Sequence, residues 1–314
     1  MNITRVSTLA LAMAALSTTF AKEKPLHIKG YQAALNQLDV SAAPVLNIQF
    51  QAAGGVAHLG KMTSLSTDQQ VVGDILTATI TFNDGSDDLV FSAQGLSQQE
   101  PDGRAVFQGA FTVLNGTGKF AHASGTLSFA GWARSTEFVP PVLDGIGFFT
   151  FEGDLYGVNV KPDAQVKASE AGTAVFDGVD FVYQGSGKSS HFGKFDSIVQ
   201  TALQPFDGAF NNQFVGIVDG RFSLVSSFDG VHTHPNGDKI FISGIEFVSW
   251  EIVDGGPDFS KPSIAEVYET IDSGTGRFAG AQGVLFGLGQ FTPTGPVDIS
   301  AGLAYEGFMS LPKK

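Results

Sequence analysis

Apolar residues along this chain recur at every second position far more often than at every third or fourth. Residues 45–50, 76–82, 105–113, 125–131 and 147–153 alternate apolar with polar or small side chains, and 178–183, 239–243 and 302–308 repeat the pattern later. That is the period of strands with one buried face. Turn chemistry falls between them: Asn83-Asp84-Gly85, Asp102-Gly103, Asn115-Gly116 and Asn236-Gly237 can take the positive φ of tight hairpins. A helical turn is predicted only over residues 31–38 and 263–268. The pattern therefore predicts an all-β protein.

The strands come in two matching sets. The ten residues from Gly116 to Gly125 return from Gly274 to Gly283 with seven identities and Lys119 replaced by Arg277. His58, Gly60 and Lys61 recur as His191, Gly193 and Lys194, each set with a glycine four residues before its histidine, Gly54 and Gly187. Glu152-Gly153 recurs as Glu306-Gly307. Three landmarks in one order mean a tandem duplication, with a first repeat over 22–162 and a second over 163–314. Closing each antiparallel sheet into a barrel removes the strand edges that would invite aggregation. His58 and Gly116 are 58 residues apart and His191 and Gly274 are 83 apart, so the second repeat holds about 25 extra residues. The loop-like stretch 248–263, with Asp254, Gly255, Gly256 and Pro257, is the expected place.

These paired segments, Gly-Thr-Gly-Lys/Arg-Phe-Ala and the upstream His-x-Gly-Lys, resemble the secreted bacterial members of the allene oxide cyclase barrel-like superfamily, to which plant dirigent proteins are also similar. The resemblance spans both repeats. It implies two tandem antiparallel eight-stranded β-barrels, each with an apolar central cavity. In the plant relatives that cavity holds an oxidised lipid or a phenoxy radical and steers its cyclisation or coupling. By the same resemblance, an activity here would be that of a cyclase or isomerase on a lipid- or terpenoid-like substrate. The acidic and polar residues that act in those relatives have no match in this sequence.

The first 21 residues read as an export signal: Arg5, an apolar stretch over residues 9–16, and Thr19-Phe20-Ala21 before Lys22. That stretch is shorter than the roughly 20 residues a membrane-spanning helix needs, so a secreted or periplasmic protein with no membrane span is expected. Cysteine is absent, which excludes disulfides, thiol chemistry, Cys-ligated metals and a lipoprotein anchor. Beyond the signal, 17 basic residues face 31 acidic ones, a net charge of −14 that excludes nucleic acid and anionic lipid as partners. Of 35 aromatic residues 28 are Phe, which lacks a polar handle and suits a dry core or the wall of an apolar site.

Candidate chemistry is sparse. His232 and His234 form the closest histidine pair and would share a face on a strand. They are the first candidates for acid–base work, or for a metal ion if the segment is a strand; the adjoining Pro235-Asn236-Gly237 reads as a loop, and no metal or other cofactor is expected. His191, like its equivalent His58, is either a general base at a cavity mouth or a structural group in a Gly-rich turn. Glu152 and Glu306 would become acid–base groups if they pointed into an apolar barrel, yet Glu152 shares its strand face with Thr150 and Asp154, opposite Phe149 and Phe151. The leading expectation is a barrel that binds a small apolar ligand, with the second repeat as the first place to look and a pairing of barrels or of whole chains alongside. The rival is a non-catalytic envelope or matrix protein with filled barrels.

Overall fold

The computed structural model describes residues 24–139, 142–176, 181–201, 213–295 and 298–311; the expected export signal lies outside them. No α-helix occurs among these residues, and none is long and apolar enough to cross a membrane. The first repeat forms β1 (Leu26–Asp39), β2 (Val45–Val56), β3 (Gly60–Val72), β4 (Ile75–Asn83), β5 (Asp88–Gln99), β6 (Arg104–Gly116), β7 (Ser124–Val139) and β8 (Val142–Tyr156). Each strand pairs antiparallel with the next, and β1 pairs with β8 to close an eight-stranded barrel.

The second repeat forms β9 (Ala164–Phe176), β10 (Phe181–Ser189), β11 (Gly193–Thr201), β12 (Gln213–Val218), β13 (Arg221–Thr233), β14 (Lys239–Val253), β15 (Gly256–Pro257), β16 (Ser263–Gly274), β17 (Gln282–Pro293) and β18 (Asp298–Ser310). Eight of these close a second barrel in the order β9-β10-β11-β13-β14-β16-β17-β18, with β18 returning to β9. The remaining two, β12 and β15, lie along β13 and β14.

Both expected helical turns are strands. Residues 31–38 belong to β1, where Tyr31, Gln32, Ala33 and Ala34 are all buried. One face of β1 meets the barrel interior and the other meets the second barrel, so apolar and polar positions stop alternating. Residues 263–268 belong to β16, whose inward positions are the small or slender Ser263, Ala265 and Val267. Small inward side chains hide a period of two.

Most of the extra length of the second repeat also lies elsewhere than expected. Ser64 and its cross-strand partner Phe82 are 18 residues apart, whereas the matching Ser197 and His232 are 35 apart. Seventeen residues therefore enter between β11 and β13, the stretch that holds β12, and only a minor share enters near β15.

The two barrels pack side by side through an apolar layer. Tyr31, Ala33, Ile146 and Phe148 of the first meet Ile245, Phe247, Tyr268 and Val284 of the second, with ring centroids 4.7 Å apart for Phe148–Phe247 and 4.8 Å for Phe148–Tyr268. The Tyr31 hydroxyl is 2.6 Å from Thr270 Oγ1, so the phenol that crosses this layer keeps a partner. His58 is structural: its Nδ1 accepts the Asp163 N–H at 2.9 Å, its own N–H donates to Asp163 Oδ2, and its ring packs on Phe308.

The duplicated turn is built alike in both repeats. Asp87 accepts the Lys119 N–H at 3.1 Å and Asp238 accepts the Arg277 N–H at 3.2 Å. Gly118 and Gly276 stand there at φ +50° and +56°, against those same carboxylates. A side chain at either position would be strained and would collide with the acid that caps the turn. This is the reason for the shared Gly-Thr-Gly motif.

Candidate functional site

Strand register turns the two barrels into a position-by-position comparison. In the first, the inward set includes Gln32, Phe50, Ser64, Phe82, Phe111 and Phe151. The same places in the second hold Glu170, Tyr183, Ser197, His232, Glu269 and Tyr305. Four rings have become two tyrosines, a histidine and a glutamate, and a glutamine has become a second glutamate.

The first lumen is oily. Phe82 packs edge-on against Phe91, Phe111 and Phe151, with centroids 5.3, 6.1 and 5.4 Å away. Beside them the Ser64 hydroxyl donates to Gln32 Oε1 at 3.0 Å, and Gln32 donates to the Met62 carbonyl, so the buried amide keeps partners. These rings fill one half of the barrel. The other half, toward the β3–β4 and β5–β6 turns, is a cavity of about 420 Å³ walled by Leu46, Ile48, Phe50, Leu76, Ala93, Phe107, Phe129 and Phe149. Polar groups stand at its rim: Asn36, Gln69, Asp74, Ser97, Gln99 and Arg134.

The inserted strand β12 docks beside that rim. Asp102 Oδ2 accepts the Ile217 N–H at 3.0 Å and the Arg104 Nε–H at 2.8 Å. Arg134 donates to the Val215 carbonyl at 3.3 Å and lies 4.6 Å over the Phe214 ring. The second repeat thus ties itself to the entrance of the first barrel.

The second lumen holds a connected ionisable chain. Ser197 Oγ donates to Glu170 Oε2 at 2.6 Å and sits 2.9 Å from His232 Nδ1. His232 Nε2 lies 3.2 Å from Glu269 Oε1, and the Tyr305 hydroxyl donates to Glu170 Oε1 at 2.9 Å. Serine has one hydroxyl proton, so if Glu170 takes it, His232 Nδ1 must be the donor toward Ser197. An imidazolium that also donates from Nε2 to Glu269 satisfies every pair. Burial alone would push the His232 imidazole down, but Glu269 and Glu170 outweigh it and hold it above its ordinary value. Burial pushes the Glu170 carboxyl up, with Glu269 adding to the rise against the pull of His232 and Ser197.

Two further groups, buried Tyr183 and half-buried Glu246, stand outside this chain. The Tyr183 hydroxyl has no partner among the described residues, and it lies over Gly185, where any Cβ would collide with it. Inward-facing Glu246, farther along β14, makes no hydrogen bond among the described residues, and burial pushes its carboxyl up to about 7. A groove of about 660 Å³ among exposed Ser186, Lys188 and Lys194 also reaches Glu170 and Phe195.

Of the residues singled out from sequence, only His232 belongs to this cluster. His234 is buried at the barrel end, where its Nδ1 takes a bond from the Arg277 guanidinium at 3.0 Å, and burial followed by the Arg277 charge lowers it. Its Nε2 has no partner among the described residues. Glu152 is exposed, as its strand face predicted, and Glu306 is corrected from an inward candidate to an exposed group, because the alternation puts Phe151 and Tyr305 inside. His191 is exposed on a turn, 2.9 Å from Ser190 Oγ, away from any lumen. Among the described residues no three His, Asp or Glu side chains are placed to hold a metal ion.

Sequence reasoning missed Glu170, Tyr183, Ser197, Glu269 and Tyr305. Two signals were available: counting back five residues from the shared Gly116 and Gly274 sets Phe111 against Glu269, and the shared Glu-Gly pair sets Phe151 against Tyr305.

No protein-family profile matches the sequence, and no curated protein matches it. Among solved structures, the chain is similar to OccK5 (OpdH) of Pseudomonas aeruginosa at 9% identity, covering 92% of this chain and 98% of that one, with a TM-score of 0.16. OccK11 (OpdR) of the same organism matches at 12% identity over 93% and 98%, again at 0.16. A BenF-like porin from Pseudomonas fluorescens Pf-5 matches at 8% over 91% and 98%, at 0.14. Scores this low do not describe a common fold.

Proposed function

We propose that this protein, exported from the cell, binds a small apolar molecule inside its first barrel. The observation that carries this reading is the hollow of about 420 Å³ walled by Phe50, Phe107, Phe129 and Phe149. Its volume falls within the roughly 300–1,000 Å³ of small-molecule sites, and such sites pair apolar walls with a few polar groups at fixed points. Asn36, Gln69 and Arg134 at the rim supply those points. The cyclase or isomerase action implied by the family resemblance would need no reactive side chain here, because a mould works by holding one ligand conformation.

The rival reading, a filled structural barrel, accounts for the packed rings of Phe82, Phe91, Phe111 and Phe151 but not for the empty half beside them. The test is titration with N-phenyl-1-naphthylamine, whose fluorescence rises in apolar surroundings. One site per chain is expected, and Ala93→Phe, which fills the cavity from its wall, weakens binding about tenfold or more, since each 1.4 kcal/mol is a factor of ten. Unchanged binding by a folded Ala93→Phe protein overturns the proposal.

A further inference from the structure

We propose that the lumen of the second barrel is an acid–base site for a small enolisable carbonyl compound, with Glu170 as proton acceptor and the Tyr183 hydroxyl as donor to the carbonyl oxygen. Two observations carry it. The first is the comparison between repeats. The first barrel shows that this scaffold closes with Phe50, Phe82, Phe111 and Phe151 at these positions, all buried in one apolar core. In the second, all four positions carry groups able to bond or transfer a proton, and His232, Glu269 and Tyr305 join Glu170 and Ser197 in one chain. Buried ion pairs stabilise a fold less well than apolar residues of similar volume, so stability alone gives no reason for the exchange.

The second observation is the Tyr183 hydroxyl. The residue is 9% exposed and its hydroxyl has no partner among the described residues; a buried polar group left unpaired costs about 1–3 kcal/mol. Glycine at 185 leaves the room the hydroxyl occupies, and Glu170 is the charged group that bears on it. A carbonyl oxygen placed there accepts the missing hydrogen bond.

The step needs no co-reactant. The Glu170 carboxylate takes a proton from the carbon next to the carbonyl; the C–H electron pair becomes the new C=C bond, and the carbonyl π pair moves onto the oxygen held by Tyr183. Return of the proton to the same carbon exchanges hydrogen, and return to a conjugated carbon shifts a double bond. A raised carboxyl pKa makes Glu170 a better base. Ser197, His232 and Glu269 act as positioning residues: they aim Glu170, and the imidazolium offsets the charge beside it. Tyr305 and His234 are the other titratable groups facing this cluster.

The test follows hydrogen–deuterium exchange of 2-indanone in D2O by proton NMR, using the full chain. The native protein should exchange the ring methylene protons faster than buffer. Glu170→Gln should lose about a hundredfold and Tyr183→Phe about tenfold, within the range for single acid–base groups. Ser197→Ala should keep exchange but move the pH at which it is half-maximal, which a purely structural role would not do. Should Glu170→Gln fail to fold, Tyr183→Phe decides alone, because it removes one oxygen and keeps the ring. No acceleration by the native protein, or native rates in Tyr183→Phe, overturns the proposal.

Discussion

Glu246 makes the stability of the second barrel depend on pH in a way that one substitution removes. Its strand register points it inward beside Ser226 and Val267, and the matching position of the first barrel is Gly95. Burial pushes its carboxyl from 4.5 up to about 7. A folded-state pKa above the unfolded one means that the native protein binds this proton more tightly. The associated stability is therefore fully present below pH 4.5 and lost as pH rises through 7. At about 1.4 kcal/mol per pKa unit, the loss is about 3 kcal/mol. Glu246→Gln keeps the shape and removes the charge, so it should match the native protein at pH 4.5 and exceed it by about 2–3 kcal/mol at pH 8. Urea unfolding at several pH values, followed through Trp250 in a Trp132→Phe background, measures the difference. Taking the difference between variant and native protein cancels the same-sign pH dependence of Glu170 and His232. A gap between the two proteins that stays constant from pH 4.5 to 8 would refute the reasoning.

Three further outcomes follow from contacts already described. Glu269→Ala leaves the His232 imidazolium without its closer carboxylate and should cost about 3 kcal/mol in chemical denaturation at pH 6; a loss below about 1 kcal/mol would mean that the pair is not buried as described. Asp102→Ala removes the acceptor of the Ile217 N–H, so that amide should exchange with solvent faster in hydrogen-exchange mass spectrometry while the first barrel stays protected. Gly118→Ala and Gly276→Ala should each lower the melting temperature, by about 1–3 kcal/mol in stability, through positive φ and collision with Asp87 or Asp238; an unshifted melting temperature contradicts the capping role.

The architecture was legible because its signals are local and doubled. Alternation around Phe149 and Phe151 places Glu152 outside, where it is, and the repeated Gly-Thr-Gly turns mark two copies of one barrel. What failed was whatever depends on both faces of a strand. β1 lost its alternation because Tyr31 and Ala33 meet the other barrel while Gln32 and Ala34 face its own lumen. The ionisable cluster was mostly invisible because its members lie on β9, β10, β11, β13, β16 and β18, and only register brings them together. Even so, Phe151-Glu152-Gly153 against Tyr305-Glu306-Gly307 displays one of the exchanges openly: the shared glutamate faces water, and the ring beside it, which differs, faces the lumen.

The two copies of one barrel have diverged into an oily hollow in the first and an ionisable lumen in the second. Xenon distinguishes them most directly, since it enters dry apolar cavities and shuns polar ones. Diffraction from crystals under xenon pressure should place the gas among Phe50, Phe107, Phe129 and Phe149 and leave the space around Glu170 and His232 without it. Xenon beside His232, or none within the first barrel, would contradict the account.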